Sequence, residues 1–217
     1  MSARDRILDR LRRNAPPPQA VDTPIVGEPA SGADPETLIS QLTSCLVAAH
    51  AEVMRVPRAK LPEAIFGFIK GRAIGSLMLQ PGNLPFDPSG APAGLQVERF
   101  DRPFEELKSR LFLDIEAGLT VADCAIADTG TLAMASSPTQ PRTLSLVPPI
   151  HLCLLDERRI HPSLAHAMRA ESWASTLPTN LIFISGPSKT ADIQQTLAYG
   201  AHGPKELIVF LFDGSAA

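Results

Sequence analysis

The segment LIFISGPSKTADIQQTLAYGAHGPKELIVFLF, residues 181–212, decides how this chain is expected to fold. LIFIS and ELIVFLF are short runs, apolar but for Ser185 and Glu206, the pattern of buried strands. Between them, Thr190-Ala191-Asp192 opens a helical pattern with Ile193 and Leu197 one turn apart, and Gly200 supplies a left-handed stop. Strand, helix and strand in that order predict a crossover unit whose two strands run parallel.

Working outward, the same alternation recurs. Asp34-Pro35-Glu36 starts a helix that runs to about Ala49, with Asp as N-cap and Pro at the first helical position. Strands are expected at 51–56, 73–79, 95–100 and 145–156, and helices at 61–71, 103–112 and 163–171. The fold class predicted is α/β, layered, with a largely parallel central sheet flanked by helices. Residues 1–33 are expected to form an amphipathic helix, carrying Ile7, Leu8 and Leu11, followed by a Pro-rich linker; residues 34–217 form a single α/β domain.

Composition removes several classes of function. A net charge of −3 supplies no general attraction for phosphate backbones, and 5% aromatic residues leave few platforms on which bases could stack. The three cysteines, Cys45, Cys124 and Cys153, lie far apart inside apolar stretches and make no C-x-x-C pair. They read as small buried thiols rather than a disulfide framework, an iron–sulfur ligand set or a zinc site, so no metal is expected. MSARDRILDRLRRN is too charged for a secretory signal, and no run approaches the roughly 18 apolar residues of a membrane span. The protein is expected in the cytoplasm.

Two loops carry potential chemistry. In the first, Gly186, Ser188, Lys189, Thr190 and Asp192 stand where a helix would begin, beyond the carboxyl end of a strand. Unpaired N–H groups and the helix dipole favour an anion there. Capping explains Ser188, Thr190 and Asp192 equally well; Lys189 opposes the dipole unless an anion answers it. His202, between Gly200 and Gly203, can face a pocket and titrate near neutral pH. Lys189, Asp192 and His202 are therefore the candidate catalytic groups. The second loop is Asp128-Thr129-Gly130-Thr131, either a plain hairpin turn or a set of hydroxyls beside exposed N–H groups, with Arg142 as a possible basic rim. His151, His161 and His166 fit no familiar ligand spacing and read as core or surface residues. The serine-hydrolase elbow and the P-loop are both absent.

IADTGTL (126–132), PRTLSLVPPIHLCLL (141–155), ISGPSKTADIQQTL (184–197) and GAHGPKELIVFL (200–211), in that order, resemble the LutC/YkgG family, the LUD-domain group of lactate-utilisation proteins. SGPSKTADI followed by HGP is the specific part. The resemblance implies a fold related to the ribose-5-phosphate isomerase, glucosamine-phosphate deaminase and CoA-transferase superfamily. It also implies a part in oxidising L-lactate to pyruvate beside LutA- and LutB-type partners, which carry the iron–sulfur clusters that this chain lacks. By analogy the ligand-binding set is Thr129, Gly130, Thr131, Gly186, Ser188, Lys189, Thr190, Asp192, His202 and Gly203, to which the residue reading adds Arg142 as the basic rim. Asp128 differs from the glutamate nucleophile of CoA-transferases, and fold kinship does not transfer chemistry. Two other readings stand beside this one. The chain is either a free-standing enzyme for a phosphorylated, folate or CoA-type metabolite, or a ligand-sensing scaffold.

Overall fold

Apolar runs and amphipathic runs with period 3.6 alternate along the chain, and a computed structural model turns them into twelve strands and six α-helices among the residues it describes. It describes residues 3–14, 32–138, 140–173, 175–176, 178–191 and 197–214. In chain order the elements are α1 (Ala3–Asn14), α2 (Pro35–Ala48), β1 (Glu52–Val56), α3 (Leu61–Gly71), β2 (Ser76–Leu79), β3 (Gln96–Arg99), α4 (Phe104–Leu113), β4 (Ala117–Val121), β5 (Cys124–Ile126), β6 (Thr131–Ala135), α5 (Arg142–Leu146), β7 (Ile150–Asp156), β8 (Ile160–His161), α6 (Leu164–Ala170), β9 (Leu181–Ile184), β10 (Lys189–Ala191), β11 (Leu197–Tyr199) and β12 (Glu206–Phe212).

Six strands form the central sheet in the order β1-β12-β7-β4-β2-β3, and every pairing in it is parallel. β12 lies between β1 and β7, so its side chains must be apolar in both directions. Leu207, Val209 and Leu211 enter one core with Ile39, Leu42 and Leu46 of α2. Ile208, Phe210 and Phe212 enter the other with Leu61, Ile65 and Ile69 of α3. Burying each such side chain contributes about 1.5–3 kcal/mol, which is why a continuously apolar run is stable only in this central position.

α2 starts as its sequence dictates: Asp34 accepts a hydrogen bond from the Thr37 N–H at 3.2 Å, and Pro35 occupies the first turn. α1 buries no residue, leaving Ile7 and Leu11 exposed. Cys124 and Cys153 are buried free thiols, as their apolar settings require, whereas Cys45 is only partly covered.

Three sequence expectations change. The run 145–156 is not one strand, because its first residues close α5 and β7 begins only at Ile150. Pro148 and Pro149 have no N–H to give to a ladder, so the strand starts after them. Second, LIFIS is not a central strand. β9 pairs antiparallel with β6 in a separate four-stranded sheet of order β8-β5-β6-β9, and Phe183 is exposed.

Third, no helix begins at Thr190. β10 and β11 form an antiparallel hairpin, Lys189 opposite Tyr199 and Ala191 opposite Leu197. An isolated ten-residue helix is marginal in water. Here the alternative ladder is anchored at its base by the Gly200 N–H to Ser188 O bond at 2.9 Å. Tyr199 also packs edge-on against His50, with ring centroids 5.6 Å apart.

Candidate functional site

A cavity of about 240 Å³ opens where the central sheet, the second sheet and the loop after β11 meet. Ser145 and Leu146 of α5, His151 of β7, Ile182 to Gly186, Ser188, His202 to Pro204 and Leu207 of β12 border it. His151 and Leu207 stand near the starts of their strands, so the cavity lies at the amino edge of the central sheet. The loop therefore does not lie beyond the carboxyl ends of the central strands as expected: the segment was assigned to the wrong sheet, and its connection to the wrong structure. With Lys189 on an exposed strand rather than at a helix start, no helix dipole acts on it.

Close packing brings these pieces together. α5 presses directly on β4 at Gly118, where a Cβ would stand 2.4 Å from Leu144 O. Gly203 lets its loop close on Ser188, since a Cβ there would meet Ser188 Cβ at 3.0 Å. The loop is tied down by Ser188 N–H to Pro204 O at 2.8 Å and by Lys205 N–H to Pro149 O at 2.7 Å.

The predicted residues divide. Gly186, Ser188, His202 and Gly203 border the cavity, His202 from an exposed position. Lys189 and Thr190 lie on β10, apart from the cavity wall. Asp192 lies outside the described residues. The space beside Gly186 is filled by protein, because a Cβ there would stand 2.7 Å from Ala49 O at the end of α2.

Thr129 and Gly130 form the turn of the antiparallel β5–β6 hairpin, with Thr131 at the start of β6. Gly130 takes φ +62°, and a Cβ on it would come within 2.4 Å of Cys45 Cβ on α2. The turn reaches the cavity indirectly. Thr129 Oγ1 lies 2.8 Å from Thr131 Oγ1, which lies 2.8 Å from the Ser185 Oγ on the cavity border. Arg142 faces a different depression, of about 550 Å³, beside Phe100, Phe104, Ser136 and Asn180.

The residue that sequence reasoning read only as core or surface, and not as part of a site, is His151. It is 1% exposed, and its Nε2 lies 2.8 Å from Thr120 Oγ1. Its Nδ1 has no hydrogen-bond partner among the described residues. Desolvation pushes its pKa down to about 4, so the ring is neutral at pH 7. The available signal was a histidine in the otherwise apolar run IHLCLL, a polar group buried where every neighbour avoids water.

Elsewhere, Cys124, His161 and Glu171 offer ligand atoms within 4.8 Å of one another. Glu171 is engaged by His161 at 2.8 Å and by Arg159, and burial pushes the Cys124 thiol up to about 12. That arrangement ties β8 to the end of α6 by the His161–Glu171 hydrogen bond, and burial keeps the thiol protonated.

Comparison with known proteins fits this architecture. The LUD domain model matches residues 39–212. The chain belongs to the LUD domain family. A relative from Neisseria meningitidis serogroup B, named uncharacterized protein NMB1437, is 35% identical over 96% of this chain and 93% of its own length. A lactate utilization protein C from Exiguobacterium is 26% identical over 82% of this chain and 78% of its own length. One from Halalkalibacterium halodurans is 27% identical over 78% and 76% respectively. The crystal structure of a DUF162 family protein from Deinococcus radiodurans superposes with a TM-score of 0.64 at 24% identity, covering 83% of this chain and 99% of that one. That likeness shows the fold. Among the described residues no helix is long and apolar enough to cross a membrane.

Proposed function

We propose that this LUD-domain chain serves lactate utilisation as the subunit without iron–sulfur clusters in a system that oxidises L-lactate to pyruvate. In this reading it works in the cytoplasm beside LutA- and LutB-type iron–sulfur proteins, and its cavity takes a small anionic ligand. The observation that carries the reading is the extended match to proteins named lactate utilization protein C, which spans about four-fifths of this chain. The cysteines support the division of labour, since Cys45, Cys124 and Cys153 make no C-x-x-C pair and two of them are buried free thiols. A free-standing enzyme using Lys189 as electrophile gains less support, because Lys189 is absent from the cavity border.

Deletion of the gene tests the proposal. The deleted strain is expected to lose growth on L-lactate, keep growth on pyruvate, and recover when the chain is supplied again. Affinity purification from lactate-grown cells is expected to bring cluster-bearing partners with it. Normal lactate growth together with normal lactate-dependent dye reduction in the deleted strain removes the proposal.

A further inference from the structure

A group of metal-ligating side chains lies apart from the cavity, none of them on its border. β5 and β8 run parallel with Ile126 opposite His161, so His161 shares a sheet face with Ile126 and, two residues back, with Cys124. α6 covers that face through Ala167, and the residue that caps the helix is Glu171. Three elements thus bring a thiol, an imidazole and a carboxylate together, with one ligand atom of each within 4.8 Å of the other two.

The set has the chemistry and the span of a zinc site. Zinc takes thiolate sulfur, imidazole nitrogen and carboxylate oxygen at about 2.0–2.3 Å, which puts tetrahedral ligands about 3.3–3.6 Å apart. His161 Nε2 and Glu171 Oε1 stand 2.8 Å apart, so they need to part by only about 0.5 Å. The sulfur needs to close on them by little more than about 1 Å. Arg159 supplies the outer support that metal ligands require. It pairs with Glu171 Oε2, which leaves Oε1 to face the imidazole, and its Nε donates to Asp123 O, 2.8 Å away and next to Cys124. An ion-pair network accounts for Arg159, Glu171 and His161; it gives no role to the sulfur that joins them. Cys124 is buried, whereas His161 and Glu171 are half-buried, so an ion reaches the sulfur from their side and water can complete the fourth position.

We propose that Cys124, His161 and Glu171 bind one Zn²⁺ ion, with a solvent molecule as the fourth ligand. On binding, the thiol gives its proton to solvent and the thiolate bonds the metal. Glu171 Oε1 turns from the imidazole to the ion, and His161 binds through Nε2 and carries its proton on Nδ1. The site joins β5, β8 and the end of α6, and it does not depend on the lactate reading. The expectation of no metal rested on cysteine spacing, which is silent about a site that takes one ligand from each of three elements.

The test uses the full chain, reduced and stripped of metal by a chelator, then titrated with Co²⁺ and afterwards with Zn²⁺. Cobalt is expected to bind at one equivalent with a thiolate-to-metal charge-transfer band in the near ultraviolet and the visible bands of tetrahedral cobalt. Zinc is expected to displace it and remove both. Cys124→Ser is expected to lose the charge-transfer band, whereas Cys45→Ser, at the partly covered thiol, keeps it. His161→Gln and Glu171→Gln are expected to weaken zinc by about tenfold or more in competition with a coloured chelator. Zinc is also expected to raise the melting temperature of the wild type, and the same measurement without metal checks that each variant is folded. The proposal is overturned if no charge-transfer band appears at stoichiometric cobalt, if Cys124→Ser keeps the band, or if both Gln variants bind zinc as the wild type does. Should Cys124→Ser fail to fold, the wild-type band and the Gln variants decide.

Discussion

Replacing Gly118 with alanine places one methyl group between β4 and α5. The added Cβ would stand 2.4 Å from Leu144 O, 3.0 Å from Leu144 Cδ1 and 3.0 Å from Pro148 Cγ. The nearest obstacle is a backbone carbonyl, which cannot rotate away as a side-chain tip would. Relieving the contact requires α5 to retreat by about 1 Å, and overpacking of this kind costs about 1–3 kcal/mol. We expect the upper half of that range, about 2–3 kcal/mol, because both strand and helix are fixed by other contacts. For a chain of this size that lowers the melting temperature by about 5–10 °C. The retreat also carries Ser145 and Leu146 away from His151, so ligand affinity should fall with stability. Gly67→Ala is the matched control. It lies within α3, and a Cβ there meets nothing within 4 Å, so it should stabilise by about 0.5–1 kcal/mol. Differential scanning calorimetry of both variants measures the contrast. Equal melting temperatures for Gly118→Ala and wild type would refute the close approach of α5 to β4.

Two further outcomes follow from the same contacts. Gly130→Ala must hold φ near +62° and displace Cys45 Cβ; the combined loss is expected at about 2–4 kcal/mol, read by urea denaturation. His151 titrates near 4 in the fold against 6.5 ordinarily, so between those pH values the unfolded chain binds more protons and stability falls as pH falls. The loss reaches about 2–3 kcal/mol by pH 4.5, followed by fluorescence of buried Trp173, and an equally steep pH dependence in His151→Phe counts against it.

Much of the fold was legible because local and tertiary preferences agree. Asp34-Pro35 opens a helix wherever it lies, and ELIVFLF is stable only with apolar neighbours on both faces. The two ends of TADIQQTLAY were misread because its period fits a helix, while the pairing of 189–191 with 197–199 and the ring of His50 decide otherwise. Sheet membership of LIFIS was equally hidden, since two adjacent sheets both accept apolar strands. At the candidate site, the HGP loop and Ser188 stood out through their glycines and hydroxyls. His151 did not, because only the packed structure reveals that one of its nitrogens is met and the other is not.

The order of strands in the central sheet also bears on how the chain is made. Among the described strands β1 pairs with β12 alone, so Glu52 waits for Ile208 to leave the ribosome. At 5–20 residues per second that wait is on the order of ten seconds, during which β1 presents unpaired backbone, joined in the last third of it by one side of β7. Nascent chains stalled before β12 should therefore recruit chaperones, and translation slowed within that interval should lower soluble yield without changing a single native contact.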